Sequence, residues 1–401
     1  MTSVHPVYAA MATTIFEHMS GLARELGAIN LGQGFPDDGP GTGPGSGGAA
    51  SELLAMAARA LVERSNQYPP GAGLPALREA LAGHYRARQG LELGPGDFIV
   101  TSGATEAIAA AVLALVNPGD EAILFQPAYD AYAPMVRRAG GVPVSVRLRP
   151  PGWRYDQENL AAAITPATRA ILFNDPLNPA GSIASGEELA MIAELCVAHD
   201  LVAICDEVWE MVRFDGAPHR SLASFPGMAQ RTVKIGSAGK IFGLTGWKVG
   251  WMASGAPAIR DGLARAHQFL TYTTPPALQW AVAEGLALPD DWFARQLGGW
   301  AASRERLRAG LEQAGLVVLP NAATWFLCVD LAASAIALDD REFCERAVRE
   351  AGVAAIPLSA LYEADDAPRH IVRFCFTKPD AMLDEASARL ATFAATLRAG
   401  G

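Results

Sequence analysis

A lysine set among small residues is the feature of this chain with the clearest capacity for covalent chemistry. Residues 237–250 read Ser-Ala-Gly-Lys-Ile-Phe-Gly-Leu-Thr-Gly-Trp-Lys-Val-Gly, which puts Lys240 eight positions before a second cation, Lys248. Partial burial or a neighbouring cation lowers the pKa of a lysine amine, which can then form a Schiff base with an aldehyde. Lys248 suits a fixed charge for a phosphate, and Ser237 could donate its hydroxyl beside it. A covalent lysine with a phosphate clamp is what pyridoxal phosphate requires, although a lysine in such a loop is otherwise a solvated surface residue.

The other half of such a site must hold the pyridine nitrogen of the coenzyme, and Asp206 is the candidate. An ionised carboxylate there keeps the nitrogen protonated, so that the ring can accept electrons from a substrate carbanion. Asp206 follows the apolar run Val202–Cys205, and ligands of open α/β folds bind at the carboxyl ends of parallel strands. The alternative interpretation is a helix cap or a solvated turn.

Two further turns follow strand-like runs and could contact the coenzyme. The small residues at 102–106, Ser-Gly-Ala-Thr-Glu, would let backbone N–H groups at a helix start reach a phosphate, although Ser102 and Glu106 could merely begin a helix. In the segment 174–181, Asn-Asp-Pro-Leu-Asn-Pro-Ala-Gly, two X-Pro steps favour extended backbone that could present Asn178 to a coenzyme oxygen. As structure alone, that segment would be a tight turn.

Arg373 is a cation inside an otherwise apolar strand-like run, Val372–Phe376. An unpaired charge there would be costly, so a carboxylate partner is expected. Two alternatives stay open at this point: the partner is an Asp or Glu of the protein itself, or it is the carboxylate of a substrate held by bidentate contact.

The elements around these residues alternate between β-rich runs and helical patterns from about residue 74 to 290. Continuous apolar strands with intervening helices predict a mostly parallel sheet covered on both faces, that is, a doubly wound α/β core. After Pro289 the pattern changes to a smaller α+β domain, which we expect the N-terminal segment to complete. We therefore divide the chain into an N-terminal arm with part of the small domain (1–44), a large coenzyme-binding domain (45–289) and a small C-terminal domain (290–401). Strands are predicted at 98–101, 122–125, 170–173, 202–205, 323–330 and 370–376.

Composition excludes several classes of protein. The formal net charge of −10 and the pI of about 5.3 give no reason to expect nucleic acid as a partner. No run approaches the roughly 18 apolar residues of a membrane span, and no secretory signal is visible, so we expect a cytoplasmic protein. Five scattered cysteines indicate free thiols in a reducing compartment, and the seven histidines show no metal-ligand spacing. The glycine-rich run 39–48 is typical of a flexible loop.

These motifs together resemble the class I/II aminotransferases of pyridoxal phosphate fold type I, especially the branch with kynurenine, glutamine and methionine aminotransferases. The resemblance spans roughly residues 30 to 376, nearly the whole chain. Its motifs are Asn30-Leu31-Gly32-Gln33-Gly34-Phe35-Pro36, Asn66-Gln67-Tyr68-Pro69-Pro70-Gly71, the Asn178 turn, Asp206-Glu207-Val208, the Lys240 loop and the Arg373 strand.

The resemblance assigns a role to each matching residue. It implies that Lys240 binds the coenzyme covalently and acts as general acid and base, and that Asp206 pairs with the ring nitrogen. The other implied contacts are Asn178 with the ring hydroxyl and the substrate, Tyr129 with the ring face, Ala104, Thr105, Ser237 and Lys248 with the phosphate, and Gly34 and Arg373 with the substrate carboxylate. Tyr68 would reach the phosphate in the neighbouring subunit, which implies a homodimer with shared active sites. Trp209 stands where the family usually has a coenzyme-binding tyrosine.

The implied reaction is transfer of an amino group from an amino acid to a 2-oxo acid by a ping-pong mechanism. The segment 266–274, which resembles the side-chain pocket of the family, has no Arg or Lys, so neutral or aromatic donors are favoured. Two alternatives remain: a cysteine-conjugate C–S β-lyase, and an aminotransferase for a dicarboxylic substrate such as aspartate or N-succinyl-diaminopimelate. A coenzyme-sensing regulator is disfavoured, because residues 1–29 are too few for a DNA-binding domain.

Overall fold

The computed structural model describes residues 4–37, 49–363 and 367–399. The predicted glycine-rich loop at 39–48 lies outside the described residues. The N-terminal segment forms two helices and a short strand, namely α1 (Pro6–Ala9), α2 (Ile15–Leu26) and β1 (Ile29–Asn30). Thr14 caps α2 by accepting a hydrogen bond from the N–H of Glu17, and Gly27 ends the helix in the left-handed conformation (φ 61°) that glycine adopts readily.

A seven-stranded sheet forms the centre of the molecule, with strand order β2-β8-β7-β6-β5-β3-β4. All neighbouring pairs are parallel except those of β8, which runs antiparallel to both β2 and β7. The mostly parallel sheet that the sequence predicts is therefore confirmed. The strands are β2 (Phe98–Ser102), β3 (Glu121–Gln126), β4 (Val142–Arg147), β5 (Thr168–Asn174), β6 (Val202–Asp206), β7 (Thr232–Ser237) and β8 (Val249–Ala253).

Helices cover both faces of this sheet, because successive strand residues point to opposite sides. A separate hydrophobic core lies on each face of the sheet. Ile204 belongs to one core together with Ala111 of a covering helix, and its neighbour Cys205 belongs to the other together with Ile192. The chain thus has the doubly wound α/β architecture expected. The helices are α3 (Ala49–Glu63), α4 (Pro75–Gln89), α5 (Gly103–Leu115), α6 (Tyr132–Arg138), α7 (Gln157–Ala163), α8 (Gly186–Ala198), α9 (Ala238–Ile241), α10 (Pro257–Leu270) and α11 (Pro276–Leu286).

The C-terminal part builds a second, smaller sheet with antiparallel order β12-β13-β10-β9. The N-terminal segment packs with this part of the chain, since β1 pairs in parallel with β11 through Ile29 and Val353 to form a separate two-stranded sheet. The elements are α12 (Asp290–Gln313), β9 (Val317–Val318), β10 (Phe326–Asp330), α13 (Asp340–Arg346), β11 (Val353–Ala354), β12 (Ile356–Pro357), β13 (Ile371–Cys375) and α14 (Asp380–Ala399). Within the described ranges, no helix combines the length and apolar character that crossing a bilayer demands.

Candidate active site

A cavity of about 1220 Å³ opens where the carboxyl ends of β5, β6 and β7 meet the smaller sheet. This is the edge at which open α/β sheets bind ligands. The cavity brings together all but one of the site residues that the sequence singles out. Those lining it are Gly34, Ala104, Thr105, Tyr129, Asn178, Asp206, Trp209, Ser237, Lys240, Lys248 and Arg373.

Lys240 reaches the cavity from α9, directly after β7. Burial lowers the pKa of its amine from the ordinary value to about 8, and the nearby cations Arg373 and Lys248 act in the same direction. The Nζ atom donates to the backbone oxygen of Gly34 at 3.4 Å. An amine with a depressed pKa is partly neutral near pH 7–8, as a nucleophile and a general base require.

Asp206 ends β6 and is 8% exposed. Its carboxylate accepts hydrogen bonds from the hydroxyl of Tyr132 at 2.5 Å and from the N–H of Val208 at 3.4 Å. Burial nevertheless raises the pKa of Asp206, because it disfavours the ionised carboxylate. A cation beside Asp206 would stabilise the ionised form. Tyr132 is a site residue that the sequence did not point to. It could have been suspected from its position at the start of the helix that follows Tyr129.

The first turn of α5 lines the cavity. No side chain caps its N-terminus, so backbone N–H groups there are available to a ligand. Gly103 adopts φ 74°, and a Cβ on it would lie 3.1 Å from the Nζ of Lys248. Lys248 itself has a left-handed backbone (φ 53°) that closes the turn before β8. A helix N-terminus and an ammonium group therefore converge, with Ser237 at the adjacent strand end, in an arrangement that suits a phosphate.

The Asn178 turn is held in place by a chain of side-chain contacts. Asn174 donates from Nδ2 to the backbone oxygen of Asp206 at 2.8 Å, and its Oδ1 accepts from the N–H of Asn178, also at 2.8 Å. The Oδ1 of Asn178 in turn accepts from Nη1 of Arg373 at 3.2 Å. The turn thus links the end of β6 to β13 of the smaller sheet.

Arg373 is 2% exposed, yet no carboxylate of the described residues lies within ion-pair distance of it. Nη2 donates to the backbone oxygen of Gly32 at 2.7 Å, the ring of Phe326 lies 3.9 Å from the guanidinium carbon, and Nε has no partner. Burial lowers the pKa of Arg373 to about 10. Asp130, half-buried in the same cavity, has its pKa raised by burial while Arg373 opposes the shift. A buried guanidinium without an ion-pair partner fits an anionic ligand.

Tyr68 is the predicted site residue that the cavity does not include. It is 83% exposed and packs edge-on against Tyr272, with 5.7 Å between ring centres. Within the predicted pocket segment 266–274, Leu270 lines the cavity, whereas Phe269 is 85% exposed. Tyr68 and Phe269 are therefore exposed and do not line the cavity of their own chain.

One cluster among the described residues has the spacing of metal ligands, formed by Glu207, Glu210 and His219. The buried ammonium of Lys234 donates to Glu207 and, at 2.9 Å, to Glu210. Tyr85 completes the cluster by donating to Glu210 at 2.7 Å. A protein cation already lies between the two carboxylates, so we assign no metal to them.

The residues of the cavity fit pyridoxal phosphate on their own chemistry. The cavity holds a lysine with a depressed pKa, a buried carboxylate that has no ion-pair partner within 4 Å among the described residues, the N-terminus of α5 beside an ammonium, and an arginine whose Nε has no hydrogen-bond partner. The profile of the family "Aminotransferase class I and II" matches residues 27–390, and the chain belongs to this family. It is an enzyme, a transaminase that works with pyridoxal phosphate.

Particular relatives support this assignment along nearly the whole chain. The probable N-succinyldiaminopimelate aminotransferase of Mycobacterium tuberculosis is 45% identical over 96% of each chain. Its structure superposes with a TM-score of 0.91, covering 97% of this chain and 100% of the other. The methionine aminotransferase of Escherichia coli is 38% identical over 95% of this chain and 96% of its own. Human kynurenine–oxoglutarate transaminase 1 is 35% identical, over 92% and 93%.

Proposed function

We propose that this transaminase takes its amino group from a neutral or aromatic amino acid and passes it to a 2-oxo acid by a ping-pong mechanism. The observation that carries the proposal is Arg373, a buried guanidinium with a free Nε and no acidic partner within reach among the described residues. When bound, the coenzyme supplies the electron sink for the substrate carbanion.

Arg373 holds the α-carboxylate of the amino acid or oxo acid. A guanidinium fork matches a carboxylate in bidentate geometry, and the buried setting strengthens the contact. Asn178, already bonded to Nη1, keeps the guanidinium oriented. The carboxylate that binds there compensates for the charge of Arg373, which has no ion-pair partner among the described residues.

Lys240 moves the proton. Its pKa of about 8 lets the neutral amine take a proton from the substrate α-carbon and lets the resulting ammonium return it. Asp206 serves as the anion opposite the coenzyme ring nitrogen, and the Tyr132 hydroxyl fixes the orientation of its carboxylate. The uncapped start of α5, with Thr105, Ser237 and Lys248, holds the phosphate.

The walls of the cavity favour an uncharged side chain on the donor. Four aromatic side chains line the cavity, namely Phe16, Tyr129, Trp209 and Phe326. Asp130 adds a half-buried carboxylate, which would repel a second carboxylate on a short substrate such as aspartate.

A dicarboxylic substrate of greater length is the second candidate. Two exposed arginines, Arg138 on α6 and Arg341 on α13, also line the cavity. No ion-pair partner within 4 Å is found for them among the described residues. A relative 45% identical is named for N-succinyldiaminopimelate, whose distal carboxylates could reach such cations.

The experiment compares kcat/KM for methionine, glutamine and phenylalanine with kcat/KM for aspartate and N-succinyl-diaminopimelate. We expect the neutral donors to lead by at least about tenfold, the scale of one lost or unfavourable polar contact. A dicarboxylic donor ahead of all three would contradict the first candidate. If Arg138→Met with Arg341→Met then abolished that lead, the second candidate would take its place.

We also propose that the enzyme is a homodimer with shared active sites. Five large apolar or aromatic side chains are exposed in two regions of the chain. Leu61 and Val62 lie on α3 and Tyr68 follows it, whereas Phe269 lies on α10 and Tyr272 follows that helix. Tyr68 and Tyr272 pack together in this group, which we call the apolar patch. Exposed apolar side chains of this kind are typical of a protein interface, and a second copy that covers them would bring Tyr68 to the neighbouring site. The five cysteines are buried and free, which supports a cytoplasmic, reducing location.

A further inference from the structure

The amine of Lys240 lies against two indole rings. Its Nζ atom is 4.7 Å from the ring centre of Trp209 and 5.0 Å from that of Trp325. Both distances are within the roughly 6 Å over which an aromatic face attracts a cation, and tryptophan is the strongest such face. Trp209 also lines the cavity, whereas Trp325 is not among the residues that line it.

Polar partners of this amine are few. Its one hydrogen-bond acceptor is the Gly34 oxygen at 3.4 Å, and no carboxylate of the described residues lies within 4 Å. The charged or titratable groups that face it are Asp206 from β6, Lys248 from the turn before β8, and Arg373 and Cys375 from β13. An ammonium has three donors, so the indole faces supply a large part of its surroundings.

The two rings are fixed in position by edge-on packing. Trp209 and Trp325 meet with 5.0 Å between ring centres at an interplanar angle of 84°, and Trp209 meets Phe326 at 5.5 Å and 76°. Trp300 also packs against Trp325, with 5.3 Å between the two ring centres. All four rings are at most 2% exposed. Neither indole can rotate away from the amine without losing these contacts.

We propose that Trp209 and Trp325 form an indole pair that accommodates the free amine of Lys240 in both of its protonation states. This inference rests on the proposed function. The neutral amine lies against apolar surface at little cost, and the ammonium formed when it takes a proton is attracted by the ring faces. A carboxylate in the same place would hold the amine in its charged form and oppose its use as a base. The tryptophan at 209 therefore has a role that a hydrogen-bonding tyrosine would not fill in the same way.

The indole pair has a measurable consequence for titration. Since the rings stabilise the ammonium alone, replacing either one with leucine lowers the pKa of Lys240 further below its present value. We expect a shift of about half a pH unit to one pH unit for each ring, from the usual strength of a partly desolvated cation–π contact.

The experiment measures how fast the apoenzyme captures pyridoxal phosphate as a function of pH, followed by the absorbance of the bound coenzyme. Only the neutral amine reacts, so the midpoint of the rate profile reports the pKa of free Lys240. Trp325→Leu is the cleaner variant because this ring does not line the cavity, and Trp209→Leu is the second. Trp325→Phe keeps a weaker aromatic face, and Trp300→Phe removes an indole from the same cluster without touching the amine.

We expect the midpoint to fall in both leucine variants, to fall less in Trp325→Phe and to stay unchanged in Trp300→Phe. A midpoint that is unchanged or raised in Trp325→Leu or Trp325→Phe, with a native circular dichroism spectrum, would overturn the inference. So would a loss of melting temperature without any movement of the midpoint, since that is what packing alone predicts. Failure of the wild-type apoenzyme to capture the coenzyme would instead contradict the proposed function itself.

Discussion

Most of the site residues that the sequence singles out by residue type and spacing have side chains or backbone in the cavity. Asp206 and Asn178 could be found because each follows a strand-like run, and Arg373 because it is a cation inside one. Lys240 could be found because it lies among small residues eight positions before a second cation. Tyr132 was missed, because a tyrosine in a helix usually fills a core and nothing in the sequence shows that its hydroxyl reaches Asp206 at 2.5 Å. Contacts between residues so distant in the chain depend on tertiary packing.

Arg373 gives the sharpest prediction at the scale of a single residue. Replacing it by glutamine removes the charge that we propose binds the substrate carboxylate, and KM for the amino donor should rise about 10- to 100-fold, as expected for a hydrogen bond to a charged group. Arg373→Lys should recover part of the loss. Steady-state kinetics and the coenzyme spectrum are the measurements, with Arg295→Gln at an exposed arginine of α12 as the matched control. An unchanged KM in a folded Arg373→Gln enzyme would remove this residue from the substrate site.

The secondary structure elements were predicted closely where they consist of continuous apolar runs. The run at 202–205 is β6 (Val202–Asp206), and the run at 370–376 is β13 (Ile371–Cys375). The strand β8 (Val249–Ala253) was not among the predicted strands, and its antiparallel direction could not have been predicted either, because an apolar run looks the same in both directions. The cluster around Lys234 was also missed, since one lysine in a buried strand has no visible partner until Glu207 and Glu210 are brought beside it by the fold.

At the scale of the whole molecule, the cavity joins two parts of the chain that are far apart in sequence. Asp206 ends β6 of the seven-stranded sheet and Lys240 follows β7 of the same sheet, whereas Arg373 comes from β13 of the smaller sheet. The N-terminal segment packs beside that smaller sheet, since α2 contacts β12 and β1 pairs with β11 in a separate two-stranded sheet. If Arg373 binds the substrate as proposed, substrate binding depends on how these two parts are held together. The domain boundaries at residues 44 and 289 stay a prediction.

The proposed homodimer gives a prediction at this scale. Val62→Glu puts a carboxylate into the apolar patch, where its burial in an interface would be unfavourable, so we expect the variant to sediment as a monomer. The wild-type chain should sediment at twice its mass of 42.2 kDa. Val142→Glu, at an exposed valine of β4 away from the patch, is the matched control and should remain dimeric. A monomeric wild type with full activity would contradict the shared sites.

The central claim is that Lys240 bonds to pyridoxal phosphate, and the composition of the chain makes it simple to test. There are four lysines, namely Lys234, Lys240, Lys248 and Lys378. Borohydride reduction of the coenzyme-loaded enzyme fixes the coenzyme to the amine that holds it, and peptide mass spectrometry then locates the label. The account predicts one label per chain, on Lys240. A label on any of the other three lysines instead, or no label on a fully loaded enzyme, would contradict it.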